Sequence, residues 1–215
     1  MKYPKIYNLY RRDEKEDYQI TKGEYSKIEF GLINRWLVTE KIDCTNIRIL
    51  WDGETVRYRG RTDNAQVPTF LLDHLQKTFT SDKLLSVFGP DSKVILYGEG
   101  YGNKIQKVGS KYRKDTSFIL FDAVINGWWL DFDSVQEIAQ KLSIKTVPVL
   151  GIWNEEEIYH NVYSNPYSTV SDSRLIIEGV IARSYPMMLF RDGTPIKFKL
   201  KVKDVNRYEY QRKNT

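Results

Sequence analysis

The chain has 215 residues, room for one large domain with a substantial apolar core, and its single cysteine, Cys44, excludes an intrachain disulfide framework. Its 33 Lys and Arg against 28 Asp and Glu leave a formal charge of +5, an excess that favours anionic partners and identifies none. No apolar run approaches the roughly 18 to 20 residues that span a bilayer, and the polar residues 1–17 lack the hydrophobic centre of a secretion signal, so a cytoplasmic protein with no membrane partner is expected.

In chain order, residues 36–39 read as a strand running towards Lys41, which therefore lies near a strand end. Residues 47–51 and 55–60 flank the Asp52-Gly53 pair as a hairpin. After Pro68, the spacing of Phe70, Leu71, Leu75 and Phe79 predicts an amphipathic helix over Thr69 to Phe79. Residues 93–100 read as a strand ended by glycines, and residues 116–131 as a strand, an Asn126-Gly127 turn and a short returning strand. Asp133 or Ser134 is the expected cap of a second helix, on which Val135, Ile138, Ala139 and Leu142 share one face. Two further strands are expected in 174–184 and 195–203. The second alternates Ile196, Phe198, Leu200 and Val202 with Lys197, Lys199, Lys201 and Lys203, a pattern that by itself turns the lysines to solvent. The sum is an α+β chain with antiparallel sheets and two principal helices.

Lys41 stands between Glu40 and Asp43. A lysine amine can attack phosphorus once it has lost its proton. Carboxylates alone oppose that loss, whereas a bound divalent ion favours it and also neutralises phosphate charge. His74 and His160 stand apart, and no cysteine and histidine spacing suits structural zinc.

The stretch around Lys41, with Asp43, Thr45 and Asn46 following in order, resembles the nucleophile motif of the covalent lysine nucleotidyltransferases, and in particular the RNA ligases of the phage nick-sealing type. Cys44 stands where that motif has glycine, which leaves three outcomes: the backbone accommodates it, activity is reduced, or the nucleotide pocket is a variant one. Further matches follow in the family's order over residues 40 to 199: Arg61, Glu99 between glycines, Phe121 with Asp122 beside it, Glu178 before Gly179, and Lys197 with Lys199. The opening residues 2–14 resemble the segment that leads into small ligases of this group.

The resemblance implies an ATP-grasp-like nucleotidyltransferase (adenylation) domain of antiparallel sheets and flanking helices over residues 1–215. The 16 residues after Lys199 are too few for a separate carboxy-terminal or OB domain. It implies an ATP-dependent RNA ligase in which Lys41 forms lysyl-AMP, AMP passes to a 5′-phosphate end, and a 3′-hydroxyl displaces it. By the same resemblance Lys197 and Lys199 face the phosphates and Asp43 orients a polar group. Glu40 reads adenine, Glu99 holds the ribose, Phe121 stacks on the base, and Arg61 and Asn46 serve the nucleotide site, with Arg61 also a contact for the end phosphate. Glu178 supports magnesium, or manganese in its place. The implied partner is nicked duplex RNA or an RNA-containing duplex, with an accessory protein as a further partner. An ATP-dependent DNA ligase, an mRNA-capping guanylyltransferase and a non-catalytic nucleic-acid-binding or accessory module are the alternative readings.

Overall fold

A computed structural model describes residues 1–13 and 19–214; Glu14 of the opening stretch, residues 15–17 of the polar leader and Thr215 lie outside the described residues. The first elements are strands β1 (Tyr7–Asn8), β2 (Tyr10–Asp13) and β3 (Gln19–Tyr25), a 3-10 turn (Ile28–Leu32), then β4 (Trp36–Glu40), β5 (Thr45–Trp51) and β6 (Val56–Gly60). Helices α1 (Thr69–Thr78) and α2 (Ser81–Phe88) precede β7 (Val94–Gly102), α3 (Gln106–Tyr112), β8 (Thr116–Ile125), β9 (Trp128–Trp129) and α4 (Phe132–Lys141). The last elements are β10 (Lys145–Thr146), β11 (Val149–Trp153), α5 (Glu155–Tyr163), β12 (Gly179–Ser184), β13 (Lys197–Lys201) and α6 (Val202–Asn214). No helix among the described residues is long and apolar enough to cross a membrane.

The chain divides into two compact units. One comprises Met1–Tyr3, Asp43–Val147 and Val170–Ser173. Its six-stranded sheet runs β10-β8-β7-β5-β6, with β9 paired to β8, and every pairing but β10 with β8 is antiparallel. Strand periodicity gives the sheet two unlike faces. Ile47, Ile49, Leu96 and Leu120 are buried on one, as are Leu71, Leu75 and Phe79 of the α1 segment, where Phe79 meets Phe118 edge-on. The opposite face carries Asn46, Arg48, Tyr97 and Glu99.

β7 does not stop at its glycines but runs through Gly98 and Gly100 to Gly102. Their role is clearance, not termination. A Cβ on Gly98 would lie 2.2 Å from the Phe118 ring and 2.4 Å from the Ile119 carbonyl oxygen, and one on Gly100 would lie 2.6 Å from Leu71. Gly98→Ala is therefore expected to destabilise the protein by about 1–3 kcal/mol through overpacking. A denaturant midpoint equal to that of the unsubstituted chain would contradict this account of β7. The Asn126-Gly127 turn forms as expected, both residues taking positive φ as a tight hairpin requires.

The other unit comprises Pro4–Ile42, Pro148–Thr169 and Arg174–Thr215. Its five-stranded sheet has the order β1-β13-β12-β4-β11, and β2 pairs with β3 separately. β1 joins β13 in parallel, while β13, β12, β4 and β11 are antiparallel neighbours. Trp36, Val38, Val180, Ala182, Phe198 and Leu200 bury one face in a core that also takes Ile158 and Val162 of α5 and Val205 of α6. Trp36 and Phe198 pack edge-to-face with ring centres 4.6 Å apart.

Six α-helices form among the described residues, not two. The cap of α4 is Asp131, whose side chain accepts from the Ser134 backbone N–H, so the helix starts ahead of the expected Asp133 or Ser134. α5 carries a capping box between Asn154 and Glu157, a signal present in the sequence. The expected strand over 174–184 contracts to Gly179–Ser184. At the other boundary, Val202 opens α6 because Val202 and Val205 together reach the core at helical spacing.

Candidate active site

The apolar face of the five-stranded sheet belongs to the core, so alternation turns Lys197, Lys199 and Lys201 to its other face. They do not simply project into solvent, as alternation alone suggested. Lys197 is only 6% exposed, and Lys199 and Lys201 are half-buried. Lys203 is exposed, on α6. In the register Lys197 lies opposite Arg183, Lys199 opposite Ile181, and Lys201 opposite Gly179.

Lys41 follows directly on β4, and its backbone N–H donates to the Gly179 carbonyl of the neighbouring strand. Its position beside Glu178 is thus a product of the β4–β12 pairing. The Lys41 Nζ donates to Glu178 Oε2 at 2.5 Å, and the Lys201 Nζ stands 2.5 Å from Oε1 of the same carboxylate. Burial pushes the Glu178 carboxyl up, but Lys41 and Lys201 outweigh it and hold the group below the ordinary glutamate value. Glu178 is therefore an anion near neutral pH, fixed between two ammonium groups.

Lys199 has the opposite balance. Burial, then the charges of Lys201, Lys41 and Arg12, lower it to about 8, against a smaller opposing pull from Glu178. A group bearing charge below pH 8 and losing it above should hold anions in a pH-dependent way. We expect affinity for inorganic pyrophosphate to fall as pH rises from 7 to 9.5, and Lys199→Gln to flatten that dependence. Calorimetric titration gives the comparison, and an equal slope in both proteins would remove Lys199 from the anion site.

Glu40 ends β4 and is 1% exposed. Burial raises its pKa, opposed in part by the nearby Ser168 side chain and Thr169 backbone. Both of its carboxylate oxygens are buried without a hydrogen-bond partner, so the polar edge of a bound ligand would meet two unsatisfied acceptors there.

In the other unit, Asn46 on β5 lies directly opposite Glu99 on β7, on the polar face of that sheet. Phe121 sits in β8 where the pairing with β7 shifts register, between Leu120, opposite Gly98, and Asp122, opposite Tyr97. Tyr3 meets the Phe121 ring edge-on at 5.1 Å and donates to Asp122 Oδ2 at 2.5 Å. Arg61 is exposed just beyond β6. Asp43 is half-buried, and its backbone N–H donates to the Tyr112 hydroxyl at 3.2 Å.

The structure thus gathers Lys41, Glu178 and Lys199 in one unit and pairs Asn46 with Glu99 in the other, with Phe121 elsewhere on that second sheet and Arg61 just past the end of its strand β6. Sequence reasoning passed over Lys201 at this carboxylate. The signal was its place at i+2 from Lys199 on the same strand face.

Cys44 is not among the residues with positive φ. Its backbone conformation is open to any L-residue, which answers the first of the three outcomes: the chain accommodates cysteine where the motif has glycine. Its carbonyl accepts from Gln106 Nε2 at 2.7 Å.

A family model described as RNA ligase matches residues 34–203. Among solved structures, a variant of the Naegleria gruberi RNA ligase with ATP and Mn is 15% identical, with a TM-score of 0.64 over 95% of this chain and 61% of that one. A second variant, with AMP and Mn, gives 16% and 0.64 over 99% and 60% of the two chains. The same ligase with PPi gives 19% and 0.61 over 98% and 62%. The chain spans about three fifths of the length of these relatives. At such identities the likeness is one of fold, and it agrees with the expected nucleotidyltransferase architecture of antiparallel sheets and flanking helices. No curated protein matches the sequence.

Proposed function

The chain belongs to the RNA ligase family, and on that footing we propose that it is an ATP-dependent RNA ligase working through lysyl-AMP on Lys41. The observation that carries the reading is the placement of the Lys41 amine against Glu178 on a sheet face that also bears Lys199. An amine held among cationic groups with a single shared carboxylate suits attack on an anionic phosphate ester.

In the first step Lys41 gives up its ammonium proton to solvent water, its lone pair attacks the α-phosphorus of ATP, and the second proton lost from the nitrogen follows to water. The nitrogen–phosphorus bond forms, the bond to the bridging oxygen breaks, and pyrophosphate leaves with that electron pair. Lys199, charged below about pH 8, and Lys197 balance the charge that gathers on the phosphate oxygens. Glu40 reads the adenine edge, Phe121 offers its ring to the base, Glu99 and Asn46 hold the ribose side, and Arg61 takes a phosphate. Asp43 orients a polar group near the nucleophile. AMP then passes to the 5′-phosphate of an RNA end, and a 3′-hydroxyl displaces AMP to close the phosphodiester. Nicked duplex RNA is the substrate we favour, and the cytoplasm, where Cys44 stays reduced, the compartment. Residues 1–215 together serve as the adenylation domain.

Among the described residues no group of three or more His, Cys, Asp or Glu side chains is placed to cage a metal ion. Glu178, its two oxygens already on Lys41 and Lys201, would meet a hydrated magnesium or manganese ion carried by the nucleotide phosphates through the ion's water. When bound, the ion supplies charge neutralisation and polarises the phosphate.

The test is incubation of the purified chain with ATP labelled on the α-phosphate and Mg²⁺ or Mn²⁺, followed by denaturing electrophoresis. A labelled protein band is expected with ATP and not with GTP, and absence of an ATP adduct with either metal would overturn the proposal. Nicked RNA, nicked DNA and mixed duplexes then read the substrate. Sealing that is indifferent to the 2′-hydroxyl would replace RNA by DNA in it.

A further inference from the structure

The two oxygens of Glu178 are divided between two lysines. Oε2 takes Lys41 and Oε1 takes Lys201, each at 2.5 Å. The division follows from the sheet: Lys201 stands opposite Gly179, and the Lys41 N–H bonds the Gly179 carbonyl, so Lys41, Glu178 and Lys201 meet at one end of three adjacent strands. Lys201 lies outside the lysine pair that the family resemblance assigns to the phosphates. With its side chain 21% exposed and its ammonium on a carboxylate, it is not poised as a free surface cation waiting for a nucleic-acid backbone.

We infer that Lys201 is a positioning residue of the adenylylation step, anchoring Glu178 through Oε1 so that only Oε2 engages the nucleophile. The inference rests on the reading of Lys41 as the nucleophile. A carboxylate has two equivalent oxygens and can close on one ammonium group with both. Freed of Lys201, Glu178 would turn towards Lys41 and hold its Nζ by two contacts, drawing the amine away from the phosphorus it must reach. With Lys201 in place a single contact is broken as Lys41 advances. Lys201 also keeps its contact with Oε1 after the Lys41 nitrogen loses its charge in the phosphoramidate, so the carboxylate retains a fixed partner in the lysyl-AMP state.

The experiment is a double-substitution cycle on the full chain, measuring the rate of adduct formation at saturating ATP, the KM for ATP and thermal unfolding. Lys201→Met is expected to slow adduct formation by about 10- to 100-fold, the range found when a group orienting a functional carboxylate is removed. The KM for ATP should stay within about twofold, since no ground-state contact to ATP is lost. Lys201→Arg should recover most of the rate, because a guanidinium can still hold Oε1. In a Glu178→Gln background Lys201→Met should cause little further loss, because Lys201 acts through that carboxylate.

Equal losses in both backgrounds, or a rise in KM with an unchanged rate, would overturn the inference in favour of a direct phosphate contact. An unchanged rate and KM would remove Lys201 from the step altogether. Unfolding temperatures separate a folding defect from a slow step, and Lys201→Gln serves in place of methionine should that variant fail to fold. Failure of the unsubstituted chain to label would refute the nucleophile reading and the role of Lys201 with it. Labelling that survives with no coupling between positions 201 and 178 would refute the role alone.

Discussion

Lys41→Ala is expected to abolish the ATP-derived adduct, a loss of at least about 10⁴-fold, because the bond-forming atom itself is removed. Lys41→Arg should fail as completely although it keeps the charge: a guanidinium stays protonated at any working pH and offers no lone pair to phosphorus. The paired substitutions separate nucleophile from cation, which a single alanine does not. Neither change should unfold the chain. Lys41 is 23% exposed at its side chain, and Glu178 keeps Lys201 as a partner when it is gone, so a stability change within about 1 kcal/mol is expected. Labelling of the arginine variant would show that another amine accepts AMP. Lys199, lowered to about 8 and hence partly neutral at mildly alkaline pH, would be the next to substitute.

Local pattern placed Lys41 at a strand end, set the α1 and α4 faces and located the Asn126-Gly127 hairpin, because each depends on neighbours within a few residues. What escaped depends on distant partners. The glycines of β7 resemble strand breakers until Phe118 and Leu71 are seen to occupy the space their missing side chains leave. The lysines of β13 read as a solvated face because alternation defines two faces but does not say what covers the polar one. For the site, the order of motifs found Lys41, Glu178 and Lys199 across more than a hundred residues of chain. It did not reveal that Lys201 shares Glu178, since that depends on the register of β12 against β13. Nor could spacing decide whether Cys44 is strained, a question settled by its backbone conformation and not by its identity.

Glu178→Ala should lower both activity and stability, and the pH dependence of the second effect identifies the cause. The substitution leaves Lys41, Lys199 and Lys201 together on one sheet face without the carboxylate that offsets them. Removing one partner of a fully buried pair costs about 3–5 kcal/mol. Here the side chains of Glu178, Lys41 and Lys201 keep 16%, 23% and 21% exposure, so a smaller deficit of about 1–3 kcal/mol is expected near neutral pH. The sign at each end follows from linkage. Glu178 has a folded pKa below its ordinary 4.5, so its contribution is present above that value and is lost as pH falls through the lower folded value. Lys199 titrates at about 8 in the native protein; above that pH the cluster sheds charge and has less repulsion for Glu178 to relieve. The difference in stability between the two proteins should therefore peak between about pH 5 and 8 and shrink on either side. Pyrophosphate, bound by the folded lysine cluster and not by the unfolded chain, should restore the variant's midpoint by mass action. Adduct formation should remain at least about 100-fold slower even with the fold restored. A deficit that is flat from pH 4 to 9.5 would mean that Glu178 supports the sheet by packing and not by charge. A variant that folds and labels at the full rate would take Glu178 out of the reaction.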